Sequence, residues 1–182
     1  NGIVTALLLS NLDNKALLAA GNLSLDKGAH IVTQQFLDSF LILSGSGITF
    51  GLVVAMVFAA KSKQYKALGK VAAFPALFNV NEPVVFGFPI VMNPVMFLPF
   101  ILVPVLAALM VYGSIAIGFM QPFAGVTLPW STPAIISGFM VGGWQGAFVQ
   151  ILVLVMSTLV YFPFFKIQDR IACQNEAAAE NA

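Results

Sequence analysis

Three stretches of this chain are apolar and uncharged for long enough to cross a bilayer, whose hydrocarbon core takes about 20 residues of helix. They are residues 39–60, which follow Asp38, residues 95–119 and residues 147–165. The first holds Gly47 and Gly51 at a spacing that lets helices approach closely in lipid. The second contains Pro99 and Pro104, which remove backbone donors and kink a membrane helix without abolishing it. Two further segments, 71–94 and 120–146, have apolar runs broken by Asn, Gly and Pro. Nine of the ten prolines fall between Pro75 and Pro133. Irregular backbone is tolerated at membrane depth only where protein buries it or a watery cavity receives it. Segment 71–94 therefore reads as a re-entrant hairpin. Segment 120–146 reads as a second break, carrying Leu128-Pro129-Trp130-Ser131-Thr132-Pro133.

The flanks differ. Residues 1–38 form a polar and amphipathic segment in which Asn11, Asp13, Asn14 and Lys15 predict a turn between the short runs Ile3–Leu9 and Ala16–Ala20. Neither run is long enough to span. The opening lacks Met and a basic-then-apolar leader, as expected for the middle of a longer protein. Residues 61–70 predict a basic loop. Residues 166–182 predict a polar tail, disordered from Gln174 onward.

Composition agrees with the spans: 59% of residues are hydrophobic and 8% charged, against about 25% charged in soluble domains. The fold class is all-α integral membrane, with polytopic transmembrane helices and re-entrant hairpins. A net charge of +1 gives no ground for nucleic-acid binding. Lone Cys173 and lone His30 argue against a disulfide framework or a metal centre, and no cofactor is implied. Of the eight basic residues, Lys61, Lys63, Lys66, Lys70, Lys166 and Arg170 lie in the 61–70 loop and the tail. Short basic loops mark the cytoplasmic side, so both are expected there. Crossings by 95–119 and 147–165 satisfy that parity if 71–94 and 120–146 each enter and leave on one side.

From Val71 to Phe165 the sole charged residue is Glu82. An ionisable side chain at bilayer depth costs about 2.5–3.5 kcal/mol on insertion scales and defaults to a functional reading, with a buried polar cluster as its rival. Asn79, Asn81 and Pro83 surround it on broken backbone. An acid, asparagine amides, an imidazole and an indole suit a sugar, since amides and carboxylates bond hydroxyls and an indole covers a pyranose face. Trp130 between prolines is either such a platform or an interfacial anchor, and Trp144 fits the anchor better. His30 by itself, at a membrane boundary, reads as interfacial.

The run Phe78-Asn79-Val80-Asn81-Glu82-Pro83-Val84-Val85-Phe86-Gly87, followed by Pro89-Ile90-Val91-Met92-Asn93-Pro94, resembles the signature of bacterial phosphotransferase-system sugar permeases. These are the enzyme IIC components of the lactose/cellobiose/N,N'-diacetylchitobiose family. Ala29-His30-Ile31-Val32-Thr33-Gln34, Gly45-Ser46-Gly47-Ile48-Thr49, Lys61-Ser62-Lys63-Gln64-Tyr65 and Pro129-Trp130-Ser131-Thr132-Pro133 resemble the family in the same order. The 80–135 region is most similar to permeases for N,N'-diacetylchitobiose, with cellobiose close behind.

The resemblance implies a homodimeric, multi-pass protein of the bacterial inner membrane, of which this chain is the C-terminal, sugar-binding half. It implies that Glu82 contacts the hydroxyl to be phosphorylated, as the catalytic residue. Asn81, His30 and Trp130 would be substrate-binding residues. A further pocket histidine, in a His-Gly pair, would lie just before Asn1-Gly2. The implied partners are a β-linked disaccharide, membrane lipid and phosphorylated enzyme IIB, which carries the phosphoryl donor and is served by enzyme IIA. From the residues alone two further readings stay open: an ion-coupled secondary sugar transporter with Glu82 as the coupling-ion site, and a structural membrane subunit.

Overall fold

A computed structural model describes residues 2–88, 90, 93–124 and 128–180. Pro89, Val91 and Met92 of the motif run, and residues 125–127 of the second broken segment, lie outside the described residues. Those described contain helices and turns and no strand. The helices are α1 (Gly2–Ala19), α2 (Gln34–Phe36), α3 (Phe50–Ala59), α4 (Lys63–Leu77), α5 (Glu82–Gly87), α6 (Pro94–Ala116) and α7 (Ile136–Glu180). A π turn, Leu37–Leu41, continues α2. Helices α6 and α7 are long and apolar enough to cross a membrane. The chain divides into two units, one of residues 1–43 with 105–153 and the other of 44–104 with 154–182.

In the first unit, α1 corrects an expectation. Asn11, Asp13, Asn14 and Lys15 lie inside one continuous helix and make no turn. Asn14 is fully buried there. Its amide nitrogen donates to the carbonyls of His30 (2.7 Å) and Phe123 (2.8 Å), while its oxygen accepts from the His30 N–H (2.7 Å). A polar side chain is stable inside a helix when tertiary partners satisfy it. Thr33 caps α2 by accepting from the Phe36 N–H. Phe36, Phe40 and Phe123 are buried nearby, the last two stacked with ring centroids 5.1 Å apart.

Helix α7 is broken at Gly142 and Gly143, the latter at φ 63°. Across the break Gly138 and Gly146 lie so close that a Cβ on Gly146 would sit 2.3 Å from the Gly138 carbonyl oxygen. Buried Gln150 ties this corner together. Its oxygen accepts from the N–H groups of Ile135 (2.6 Å) and Gly138 (3.0 Å), and its nitrogen donates to the Ser39 carbonyl (2.7 Å) and the Ser137 hydroxyl (2.9 Å).

The expected continuous segment 39–60 begins in the first unit with the π turn, and in the second unit it is helical only over Phe50–Ala59. Ser44, Gly45, Gly47 and Ile48 all have left-handed backbone, which an α-helix cannot accommodate. Gly47 thus lies outside the helix, whereas Gly51 does mark a close helix contact: a Cβ there would meet the Ser157 backbone of α7 at 2.4 Å. Ser157 donates to the Ile48 carbonyl (2.6 Å), and Tyr161 to that of Gly47 (2.7 Å).

Two flanks are also more ordered than expected. The 61–70 loop is a turn followed by the first part of α4, because Ser62 caps the helix by accepting from the Tyr65 N–H (3.1 Å). The tail is helical to Glu180. Asp169 and Glu176 on that helix hold the entry to α4. Asp169 accepts from the Lys61 and Ser62 N–H groups, Glu176 from those of Lys63 and Gln64. Two carboxylates thereby satisfy four successive amide donors, of which Lys63 and Gln64 lie in the first turn of α4.

Candidate functional site

Glu82 opens α5, directly after the turn that ends α4. The turn has a definite origin. Pro75 closes α4, with its carbonyl accepting from the N–H groups of Phe78 (2.9 Å) and Val80 (3.1 Å). Asn79 then takes a left-handed conformation at φ 63°, which asparagine tolerates better than most residues. Pro83 sets the first turn of α5, and the Asn81 carbonyl accepts from Val84 and Val85 N–H groups at 2.9 and 3.0 Å.

Two asparagine side chains fasten this turn to the left-handed 44–48 loop. Asn79 Oδ1 accepts from the Ser44 N–H (2.6 Å), and Asn81 Nδ2 donates to the Ser46 carbonyl (2.7 Å) and hydroxyl (3.3 Å). Asn81 is buried, so its amide is engaged in holding the loop. Glu82 is exposed, and its carboxylate has no hydrogen bond or ion pair among the described residues. The arrangement holds an acid on a rigid base with its oxygens free. Chemically, such a group can accept hydrogen bonds from hydroxyls or take a proton.

His30 and Trp130 belong to the other unit. His30 follows the 3-10 turn Leu25–Lys27 and the left-handed Gly28. Asn14 fixes its backbone from both sides, and its Nε2 lies 3.4 Å from Asp13 Oδ2 with both side chains substantially exposed. An exposed pair of this kind orients the ring more than it stabilises the fold. Trp130 occupies a turn in which Thr132 bonds back to the Pro129 carbonyl through both its N–H (3.0 Å) and its hydroxyl (2.7 Å). Trp130 is 69% exposed. Asn81 and Glu82 are thus brought together in one unit, while His30 and Trp130 are each presented by the other.

Sequence reasoning missed the residues that hold these groups. Asn14 reads as a turn former, and Gln150, Ser157, Tyr161 and Asp169 carry no motif. One signal was available: each is a polar or amphipathic residue in or beside an apolar helical run, where burial demands a partner.

Comparison with known proteins gives a consistent result. Residues 1–104 match the family model described as phosphotransferase system, EIIC. The lichenan permease IIC component of Bacillus subtilis (strain 168) is 44% identical over 148 residues, covering 80% of this chain and 33% of that protein. The cellobiose-specific EIIC component of Geobacillus stearothermophilus is 38% identical, covering 97% and 40%. The crystal structure of the transporter ChbC, the IIC component from the N,N'-diacetylchitobiose-specific phosphotransferase system, superposes with a TM-score of 0.84 at 35% identity. It covers 93% of this chain and 38% of that one. The chain therefore spans about a third to two-fifths of its relatives' length. With the family model matched over more than half the chain and these identities sustained along most of it, the chain belongs to the enzyme IIC family of the phosphotransferase system.

Proposed function

We propose that this chain is the sugar-binding part of a phosphoenolpyruvate-dependent permease that binds a β-linked disaccharide and presents one hydroxyl for phosphorylation by enzyme IIB during uptake. N,N'-diacetylchitobiose and cellobiose are the proposed substrates, in line with the stated specificities of the ChbC structure and the Geobacillus relative. The observation that carries the reading is the pinned Asn79–Glu82 turn, which leaves a carboxylate without a partner among the described residues, in a stretch that is otherwise uncharged. Glu82 takes the role of orienting the hydroxyl and accepting its proton. Asn81 acts by positioning Glu82, because its own amide is buried against Ser46. Trp130 stacks on a sugar face, and the His30 imidazole contacts sugar hydroxyls.

In this reading the permease is a homodimer in the bacterial inner membrane. Segments 95–119 and 147–165 cross the bilayer, and 71–94 is a re-entrant hairpin with Glu82 near its tip. The basic stretch 61–70 and the helix after Lys166 face the cytoplasm, as short basic segments do. The test is the source of energy in cells or vesicles bearing the full-length permease. Uptake that requires phosphoenolpyruvate and enzyme IIB and delivers sugar phosphate supports the proposal. Accumulation of free sugar that collapses with an ion gradient overturns it in favour of secondary transport.

A further inference from the structure

At the end of α3, beside α7, lies a cavity of about 330 Å3 lined by Ala59, Lys61, Lys166, Asp169, Arg170 and Cys173. Three of the six are cations and one is an acid. The Asp169 carboxylate accepts from the Lys61 and Ser62 N–H groups. None of the three cations is in an ion pair among the described residues. The cavity is therefore a strongly positive pocket whose one anion is already engaged.

Its surroundings on α7 are apolar. Val155, Leu159 and Phe162 are exposed and stand at helical spacings of four and three, on the face that continues through Lys166 and Arg170. The Lys166 ammonium lies over the Phe162 ring, 5.1 Å from its centroid. Phe58 of α3, just before the cavity, is also exposed. A helix face that is apolar for two turns and then cationic at its end has the polarity of a phospholipid: acyl chain, then phosphate.

We propose that this cavity binds the phosphate headgroup of an anionic phospholipid, with an acyl chain lying along Val155, Leu159 and Phe162. Basic pockets beside membrane helices hold such headgroups because the charge attraction acts at the edge of the low-dielectric layer. An acidic protein surface would also meet the charge. It would have no use for the apolar face, and a cavity of this size takes a headgroup and not a protein element.

The experiment is native mass spectrometry of the full-length permease, titrated with phosphatidylglycerol or phosphatidylcholine in detergent. The wild type should retain phosphatidylglycerol preferentially. Lys61→Gln, Lys166→Gln and Arg170→Gln should each weaken that retention about fivefold, the worth of one cation near an anionic lipid surface, and the triple variant should abolish the preference. Removing the same charge elsewhere, with Lys15→Gln, Lys66→Gln and Lys70→Gln, should leave it intact. Should the triple variant fail to fold, the single variants carry the test. Leu159→Gln should weaken phosphatidylglycerol binding while leaving glycerol phosphate unaffected. Unchanged retention in the variants, or equal loss in the control, overturns the site. Displacement of the lipid by glycerol phosphate at equal concentration overturns the acyl-chain contact. Loss of enzyme IIB binding with normal lipid retention overturns the lipid as occupant.

Discussion

The Asn81 side chain occupies the space that any side chain at position 45 would need: a Cβ built on Gly45 would lie 2.3 Å from Asn81 Cγ and 2.5 Å from its Oδ1. Gly45 is also at φ 82°, a conformation that disfavours residues with a Cβ. The two residues are thus mutually dependent. The amide reaches the Ser46 carbonyl only because position 45 is bare, and Glu82 is held next to that amide.

Gly45→Ala should therefore do more harm than its backbone conformation alone explains. Gly28 provides the control, since it is also left-handed at φ 90° but has none of the described residues within 4 Å of a built Cβ. Gly28→Ala should cost about 1–2 kcal/mol, the price of a left-handed L-residue. Gly45→Ala should cost roughly 2–4 kcal/mol, because an interior clash adds to it. Thermal unfolding of the two variants in the full-length permease measures the difference. Equal losses would mean that Asn81 yields at no cost.

Asn14 carries a second stability prediction. Asn14→Leu keeps the volume but leaves the His30 N–H and the His30 and Phe123 carbonyls without their partner. With each orphaned buried group costing about 1–3 kcal/mol, a total loss of roughly 3–5 kcal/mol is expected. Asn14→Asp keeps the acceptor for the His30 N–H, loses both donors and should fall by a similar amount. Unfolding midpoints check this. A neutral Asn14→Leu would show that solvent reaches these groups.

Asn14 also illustrates what the sequence discloses. Its neighbours Asp13 and Lys15 made the segment look like a turn, because local polarity is the only signal at that range. The partners that keep it helical lie 16 and 109 residues away. The 44–48 loop is hidden in the sequence for a related reason. Residues 39–60 are uncharged throughout, and hydropathy does not register four left-handed residues, two of them Ser44 and Ile48. The helical tail depends on Asp169 and Glu176 meeting amides more than 100 residues earlier. By contrast α6 and the break before α5 were legible, because a long apolar run and a proline-flanked asparagine cluster each carry their meaning locally. The exposure of Glu82 depends instead on what packs around it.

Glu176 makes the α4 clasp sensitive to acid. The N–H groups of Gln64 and Lys63 bond its carboxylate, and these bonds hold its pKa below the ordinary glutamate value. A depressed folded-state pKa contributes stability above the unfolded value of about 4.5, and that contribution is lost as pH falls through the folded pKa. The melting temperatures of wild type and Glu176→Gln should therefore differ near neutral pH and converge as pH falls below about 4.5. A gap that does not change with pH would place the effect outside this carboxylate.

Trp130 separates a ligand platform from a membrane anchor. The indole is exposed on a turn tightened by Thr132 and flanked by two prolines, so it is rigid in either role. Under the sugar reading, Trp130→Ala should weaken disaccharide binding by roughly 1–3 kcal/mol, or about five- to 150-fold. Trp130→Phe should retain part of the affinity, since a ring face remains. Calorimetric titration of the full-length permease decides between the two. Normal affinity in both variants, with a loss confined to expression or stability, would assign Trp130 to the lipid interface.

Glu82 gives the sharpest test of the proposed chemistry. Phosphoryl transfer to a hydroxyl has a loose transition state, so positioning and charge matter more than strong base catalysis. Glu82→Gln keeps the side-chain size and one acceptor oxygen but removes the charge. The carboxylate has no bonding partner among the described residues, so the substitution should leave the melting temperature unchanged. Sugar binding should stay within about tenfold of wild type, or ~1.4 kcal/mol. Phosphoenolpyruvate-driven phosphorylation should fall by ~10²–10⁴, the usual worth of a general acid–base group. Binding and phosphorylation are measured side by side on the same full-length preparation. A variant that loses ion-coupled accumulation yet still exchanges free sugar would make Glu82 a coupling-ion site. Near-normal phosphorylation would remove Glu82 from the chemistry, leaving the pinned turn with a structural role alone.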